Sequence, residues 1–330
     1  MAVIENFIKE DYALYNGDSC QVLPQLPSGS VDLSVYSPPF SELYNYSSAD
    51  EDLSNCANYD EFLVHYEFIV KELSRLTKPG RMNIIHSMDI MNKNMDYTDF
   101  PGDIVRLYKK HGFTYCGRIM VWKEPFAVRL RTMVQSLTHK NIVENSTSTA
   151  PANPDYLIIM KKGGQIEEPV RHDEGLVDFA GELDPTRRAK LGLSPIPDEN
   201  LSYRSKKGIT PRENKWSHWI WRQYASSVWK DVRPGHLLPY HDSKEEDSEK
   251  HICPLQLDTI DRIIELYSNT GDTILTPFLG VGSEAYCAVK KNRKAIGIEL
   301  KKSYFDQACK NLSRVEDEKN NQPDIFESLV

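Results

Sequence analysis

Two short segments at opposite ends of the 330-residue chain carry side chains that can do chemistry on a flat, amine-bearing ring. The first is Ser37-Pro38-Pro39-Phe40, directly after the apolar run Ser30 to Tyr36. A ring amine is a poor nucleophile because its lone pair is delocalised. Accepting hydrogen bonds from both of its N–H groups localises that pair. The Ser37 hydroxyl and the Pro38 carbonyl are suitable acceptors, the prolines preset their positions, and Phe40 offers a face for stacking. Taken alone, the tetrapeptide is also what a strand-ending turn with one buried aromatic looks like.

The second segment is Thr276-Pro277-Phe278-Leu279-Gly280-Val281-Gly282-Ser283. Gly280 and Gly282 allow a tight turn and close approach of a ligand to the backbone. Glu299 ends the strand that follows, where a carboxylate can accept hydrogen bonds from ribose hydroxyls. The third glycine of a dinucleotide fingerprint is missing, and Glu284 at the helix start would repel a pyrophosphate. An adenosine ligand without phosphates fits better. The plain alternative is a strand-to-helix turn with a surface glutamate.

Both segments need a scaffold, and the apolar pattern predicts one. Tyr12 to Tyr15 is a short apolar stretch closed by Asn16-Gly17-Asp18, and Ser30 to Tyr36 reads as a strand. Phe62, Tyr66, Ile69, Val70, Leu73 and Leu76 recur at helical spacing and predict a helix over Tyr59 to Leu76, stopped by Lys78-Pro79-Gly80. A strand over Arg81 to His86, a helix over Pro101 to His111, and strands over Phe113 to Trp122 and Tyr156 to Met160 follow. Lys161 to about Arg212 has no sustained period. Regular pattern returns with a helix over Leu255 to Tyr267, a strand over Thr273 to Leu275, a helix over Ser283 to Lys291 and a strand over Lys294 to Ile298. Such alternation is an α/β fold with helices wrapped around a parallel or mixed sheet.

The net charge is −8, which opposes contact with a polyanion. The local balance is different. Arg106, Lys109, Lys110, Arg118, Lys123, Arg129, Arg131 and Lys140 face only Asp103 and Glu124 in their stretch. Arg204, Lys206, Lys207, Arg212, Lys215, Arg222, Lys230 and Arg233 face only Glu213 and Asp231. Acid gathers at Asp50-Glu51-Asp52 and Glu245-Glu246-Asp247 instead. The 6 cysteines form no C-x-x-C pair, so reduced thiols and no metal site are expected. The absence of a long apolar run or a signal-peptide pattern leads us to expect a cytoplasmic protein.

Three blocks together resemble the amino-methyltransferases of DNA, of the permuted β class in which the catalytic motif precedes the cofactor loop. They run from Asn16 to Phe40, from Leu73 to Asp89 and from His251 to Leu312. The resemblance implies a Rossmann-like methyltransferase sheet, S-adenosyl-L-methionine as cofactor and double-stranded DNA as partner. It places catalysis on Ser37, Pro38, Pro39 and Phe40, and the cofactor's adenine against Asp18. Cys253, Pro254, Leu255 and Gln256 would wrap its methionine end, and Thr276, Pro277, Phe278, Gly280, Gly282, Ser283 and Glu299 would form its loop. Position 276 is usually aspartate in the family; threonine there keeps an acceptor but lacks the charge. Serine at the head of the tetrapeptide favours cytosine N4 over adenine N6. Arg129, Arg131, Lys140, Arg204, Lys206, Lys207 and Arg212 are the expected DNA contacts. The halves of the methyltransferase domain are expected at 1–160 and 236–330, around a target-recognition insertion at 161–235.

Other readings compete with this one. Cytosine C5 chemistry needs a Pro-Cys nucleophile, and Cys253-Pro254 has the reverse order. A dehydrogenase would leave the tetrapeptide unexplained, and an inactive DNA-binding module would leave it unused. Trp216, Trp219, Trp221, Tyr224 and Trp229, interleaved with Arg222 and Lys230, would either wedge a duplex or pack as an aromatic cluster.

Overall fold

Strands that are apolar on both faces belong in the middle of a covered sheet, and β3 (Val31–Tyr36) is buried at every position. The computed structural model describes residues 3–40, 56, 58–91, 96–132, 137–197, 214–240 and 254–320. Before β3 come β1 (Glu5–Ile8), β2 (Tyr12–Asn16) and the short α1 (Ser19–Val22). After it come α2 (Tyr59–Leu76), β4 (Thr77–Ser87), the ribbon β5 (Ile90–Met91) and β6 (Tyr97–Thr98), α3 (Phe100–Lys110) and β7 (Phe113–Val121). Short helices α4 (Pro125–Thr132) and α5 (His139–Glu144) lead to β8 (Asp155–Lys162). Then follow α6 (Pro185–Lys190), α7 (Lys215–Tyr224) and β9 (Val228–Trp229). The chain closes with α8 (Leu257–Tyr267), β10 (Thr273–Thr276), α9 (Ser283–Lys290), β11 (Lys294–Glu299) and α10 (Lys302–Asn320).

The main sheet has 9 strands in the order β1-β2-β11-β10-β3-β4-β8-β7-β9. Strands β2, β11, β10, β3 and β4 are parallel, whereas β8 is antiparallel to both β4 and β7. The sheet is therefore mixed, within the expected class. One apolar cluster joins it to α8, α9 and α10, and a second joins it to α2 and α3, so helices cover both faces. Among the described residues no helix is long and apolar enough to cross a membrane.

The expected helix over Tyr59 to Leu76 forms with those ends, because Asn58 caps it by accepting the Glu61 N–H. One boundary differs. Lys78-Pro79-Gly80 does not separate helix from strand; β4 begins at Thr77, and the ladder with β3 shifts register between Val31 and Leu33 to absorb the extra residues. Gly80 sits there at φ +75°, with Ile166 lying where a Cβ would be, so a side chain at 80 would be excluded twice over. Only α6 is regular between 163 and 197, in keeping with the pattern collapse in the sequence.

Candidate active site

In an open parallel sheet, ligands bind where neighbouring strands connect in opposite directions, at the carboxyl ends of the strands. Here that point lies between β10 and β3, which are adjacent and parallel. From β10 the chain runs through α9 to β11 on one side; from β3 it runs through α2 to β4 on the other. The Ser37 tetrapeptide follows β3 and the glycine loop follows β10, so two segments from opposite ends of the sequence meet across one crevice. Tyr36 at the end of β3 touches Phe278 of the loop, ring centroids 5.7 Å apart.

The N-terminal block is fastened to the same place. Asn16 Nδ2 donates to the carbonyls of Glu299 (2.8 Å) and Leu300 (3.0 Å), and the Ser19 hydroxyl donates to the Pro277 carbonyl. Asp18 caps α1 by accepting the Cys20 N–H at 2.9 Å, directly before the serine that reaches Pro277. In the loop itself, Gly280 lies at φ +55° with open space where a Cβ would be, and Gly282 at φ +91° lies against Ala308 and Leu312 of α10. Glu299 accepts the Gly280 N–H at 2.7 Å and the Lys301 N–H at 2.9 Å. The hydroxyls of Thr276 and Ser283 are buried and have no hydrogen-bond partner. A pair of orphaned buried hydroxyls around an open glycine turn is what a polar ligand would satisfy.

Pro254 and Gln256 lead into α8, whose first turn is anchored by the fully buried Asp258. That carboxylate accepts Arg233 N and Nε, each at 2.9 Å, and lies 2.7 Å from His236 Nδ1. Burial alone would push the Asp258 carboxyl up, but the Arg233 and His236 hydrogen bonds hold it below the ordinary carboxylate range. Cys253 lies outside the described residues.

On the tetrapeptide side, Phe40 is 8% exposed and meets Phe100 edge-on at 6.3 Å. Behind Ser37 is a set of residues that the sequence did not point to. His86 at the end of β4 has Nδ1 3.2 Å from Ser37 Oγ, while its Nε2 lies 3.1 Å from Asp155 Oδ2. The second contact is close but too bent to satisfy Nε2 as a full hydrogen bond. Asp155 Oδ1 takes the Lys123 ammonium at 2.5 Å. Burial raises the Asp155 carboxyl, yet charge and hydrogen bonds from His86 and Lys123 outweigh it and hold the group well below the ordinary range. Hydroxyl, imidazole and a fixed carboxylate in succession are the parts from which a base-activated hydroxyl can be made. Next to it, the Tyr36 hydroxyl bridges those of Tyr66 and Tyr108, each at 2.7 Å, pinning the end of β3.

Two readings change. Glu284 is not a surface glutamate; it is 5% exposed, and burial and then the Glu299 charge push its carboxyl up to about 8. The tryptophan-rich stretch is mostly core: Trp216, Trp219, Tyr224 and Trp229 are buried around Arg188 and Arg262, and Trp221 alone of the five is exposed. The basic residues divide. Arg129 lies on α4, just beyond Lys123, and is half-buried; Lys140 is exposed on α5 and 3.7 Å from Glu144. Arg131 belongs to α4 as well, while Arg204, Lys206, Lys207 and Arg212 lie outside the described residues, as do both acidic runs. Among the described residues no His, Cys, Asp and Glu group is placed to hold a metal ion.

With this geometry in hand, the comparisons with known proteins agree with one another. The N6/N4 DNA methylase family model matches residues 31–310. The chain is 24% identical to the type II methyltransferase M.BglII of Bacillus subtilis over 314 residues, covering 94% of this chain and 72% of that one. Among solved structures, the DNA modification methylase TTHA0409 of Thermus thermophilus, complexed with S-adenosyl-L-methionine, superposes with a TM-score of 0.57 at 20% identity, covering 92% of this chain and 93% of that one. The cytosine-N4-specific PvuII DNA methyltransferase gives a TM-score of 0.57 at 15% identity, covering 96% and 95%. These two share the fold of the crevice described above.

Proposed function

The chain belongs to the N6/N4 DNA methylase family, and from that premise we propose that it methylates the exocyclic amino group of a base flipped out of duplex DNA, cytosine N4 being the favoured target. One observation carries the reading: Ser37 stands at the switch point beside the glycine loop with His86 behind its hydroxyl. S-adenosyl-L-methionine is the cofactor, and when bound it supplies a methyl group on a cationic sulfur. The residues present fit it. Asp18 and Glu299 offer carboxylates to the adenine and ribose, Phe278 a face, and Gly280 and Gly282 close approach. Thr276, Pro277 and Ser283, with Cys253, Pro254 and Gln256, would hold the methionine end.

The chain's own part in the reaction follows from the relay. A neutral His86 that accepts the Ser37 hydroxyl proton at Nδ1 leaves the Oγ lone pairs to accept a base N–H, while the Pro38 carbonyl accepts the other. Once methylated and cationic, the exocyclic nitrogen would give a proton to Ser37 Oγ, which passes its own to His86. Asp155, ionised and fixed by Lys123, stabilises the resulting imidazolium. Cytosine N4 is favoured because the residue at the head of the tetrapeptide is a neutral hydroxyl with a base behind it, not an acid or amide.

Transfer of labelled methyl to mixed-sequence duplex DNA, followed by mapping of the modified base, tests the reading. Label on cytosine N4 is expected. Label on adenine N6 would keep the chemistry and overturn the preference, and label only on RNA or protein would overturn both. Residues 1–160 and 236–330 form the two halves of this domain in our reading, and 161–235 carries target recognition; with its tryptophans other than Trp221 buried, recognition falls to the surface of that segment.

Two further results are expected. Phe40→Ala removes the stacking face and should lower turnover about tenfold to a hundredfold, as for roughly 1–3 kcal/mol of base stacking, with cofactor affinity nearly unchanged. Near-normal single-turnover rates in that variant would remove this ring from the base pocket. On the DNA side, Arg129, Arg131 and Lys140, with Arg204, Lys206, Lys207 and Arg212, are proposed to neutralise phosphates on one face above the pocket. Replacing Arg129 and Arg131 together should flatten the log–log salt slope of DNA affinity by about two units, at about −0.9 per contact. An unchanged slope in filter binding would place the duplex elsewhere.

A further inference from the structure

The cofactor loop has lost one acid and gained another. Thr276 stands where the family usually carries aspartate, and its hydroxyl is buried without a partner, as is that of Ser283. Glu284, the second residue of α9, is turned inward at the same loop. The elements packed against α9 bring it no described cation. From β11 it meets the like charge of Glu299. On α8, Asp261 acts on Cys287 and Tyr286, and Glu265 takes Lys291 at the far end of the helix. On α10, Glu318 is engaged by the Tyr286 hydroxyl. Strand β10, which also packs against α9, carries no charged residue. A buried carboxyl with no cation is expensive to ionise, unless the cation arrives with the ligand. The ligand here bears an ammonium and a sulfonium but no phosphate.

We propose that Glu284 receives the ammonium group of S-adenosyl-L-methionine, supplying from the first turn of α9 the negative charge that Thr276 lacks. The assignment rests on the cofactor reading above. In the free chain, burial and Glu299 keep this carboxyl protonated at neutral pH, its pKa pushed up to about 8. Arrival of the ammonium makes the ionised form the stable one, so binding releases a proton into solution.

Calorimetric titration of the full chain with S-adenosyl-L-methionine at pH 7, in two buffers of different ionisation enthalpy, reads that proton directly. Wild type should show a buffer-dependent enthalpy corresponding to release, and affinity that tightens up to tenfold per unit between pH 6 and 7. This window stays below the titration of the cofactor's own amine. Glu284→Gln keeps the shape but not the charge; it should bind roughly tenfold to a hundredfold more weakly, with no buffer dependence. Adding Thr276→Asp to that variant should restore most of the affinity, which a folding defect would not allow. A second measurement needs no cofactor. A carboxyl with a raised folded pKa stabilises most below its ordinary value and loses that contribution as pH rises to about 8. The Tm of wild type relative to Glu284→Gln should therefore fall from pH 5 to 8 and level off above it. Equal affinity and equal buffer dependence in the two proteins would overturn the assignment. Failure of wild type to bind S-adenosyl-L-methionine at all would instead overturn the cofactor reading beneath it.

Discussion

Replacing Ser37 with alanine should slow methyl transfer within a single turnover by roughly two to four orders of magnitude, the range for loss of positioned proton transfer. His86→Asn should lose nearly as much, and the double variant little more than either alone, because the two groups act as one unit. The geometry sets this expectation: Oγ and Nδ1 are 3.2 Å apart, and Nε2 is 3.1 Å from a carboxylate that stays ionised. One control separates chemistry from folding. Cofactor affinity should stay within about twofold of wild type, since neither side chain belongs to the loop after β10. Asp155→Asn is the more severe change behind it. Uncharged, residue 155 no longer stabilises an imidazolium, and the half-buried Lys123 ammonium beside it loses its partner. A Ser37→Ala enzyme with near-normal single-turnover rates would remove the hydroxyl from the reaction and leave the Pro38 carbonyl as the acceptor that matters.

Legibility in the sequence depends on whether a feature is local. The helix over Tyr59 to Leu76 is readable because apolar spacing and cap lie within one segment. The glycine turn and the tetrapeptide are readable because each is one contiguous stretch, and because their order along the chain matches a known arrangement. That they face each other requires the sheet order, in which β10 and β3 are neighbours although separated by most of the chain. His86, Asp155 and Lys123 are not legible. They come from the end of β4, the start of β8 and the loop after β7, and no spacing links them. The one available hint is a histidine and an aspartate placed at the ends of otherwise apolar strands, on the edge where Ser37 emerges. Glu284 misleads for the opposite reason: a glutamate in the first helical turn is commonly a favourable surface charge, and only the packing of α8, α10 and β11 around α9 shows it to be buried. Lys78-Pro79-Gly80 reads as a break because a bulge that keeps strand pairing has the same composition as a turn.

The tryptophan-rich segment shows how a remote residue decides between two local readings. Arg262 comes from α8, outside the stretch, and lies fully buried among Phe179, Tyr224 and Trp229, its guanidinium carbon 5.5, 4.9 and 4.8 Å from the ring centroids. Its Nε donates to the Ala180 carbonyl at 2.8 Å, and Nη2 is 2.8 Å from Asp231 Oδ2, paired by charge although the angle is poor. Gly181 passes so close that a Cβ there would collide with Nη2. Arg188 is the other cation near Asp231, at 3.8 Å. Arg262→Met should thus destabilise the chain by about 3–5 kcal/mol, because it leaves Asp231 buried beside a single distant partner. Urea unfolding should show a lower midpoint at nearly constant slope. Combining it with Asp231→Leu should recover much of the loss, since a well-packed apolar pair can replace a buried ionic one. The single variant should also bind S-adenosyl-L-methionine more weakly, because α8 begins at the residues proposed to wrap the methionine end and Arg262 ties that helix to 179–181 and 224–231. A stability within about 1 kcal/mol of wild type would mean that the rings alone hold this region, and that the arginine is a spectator within an aromatic core.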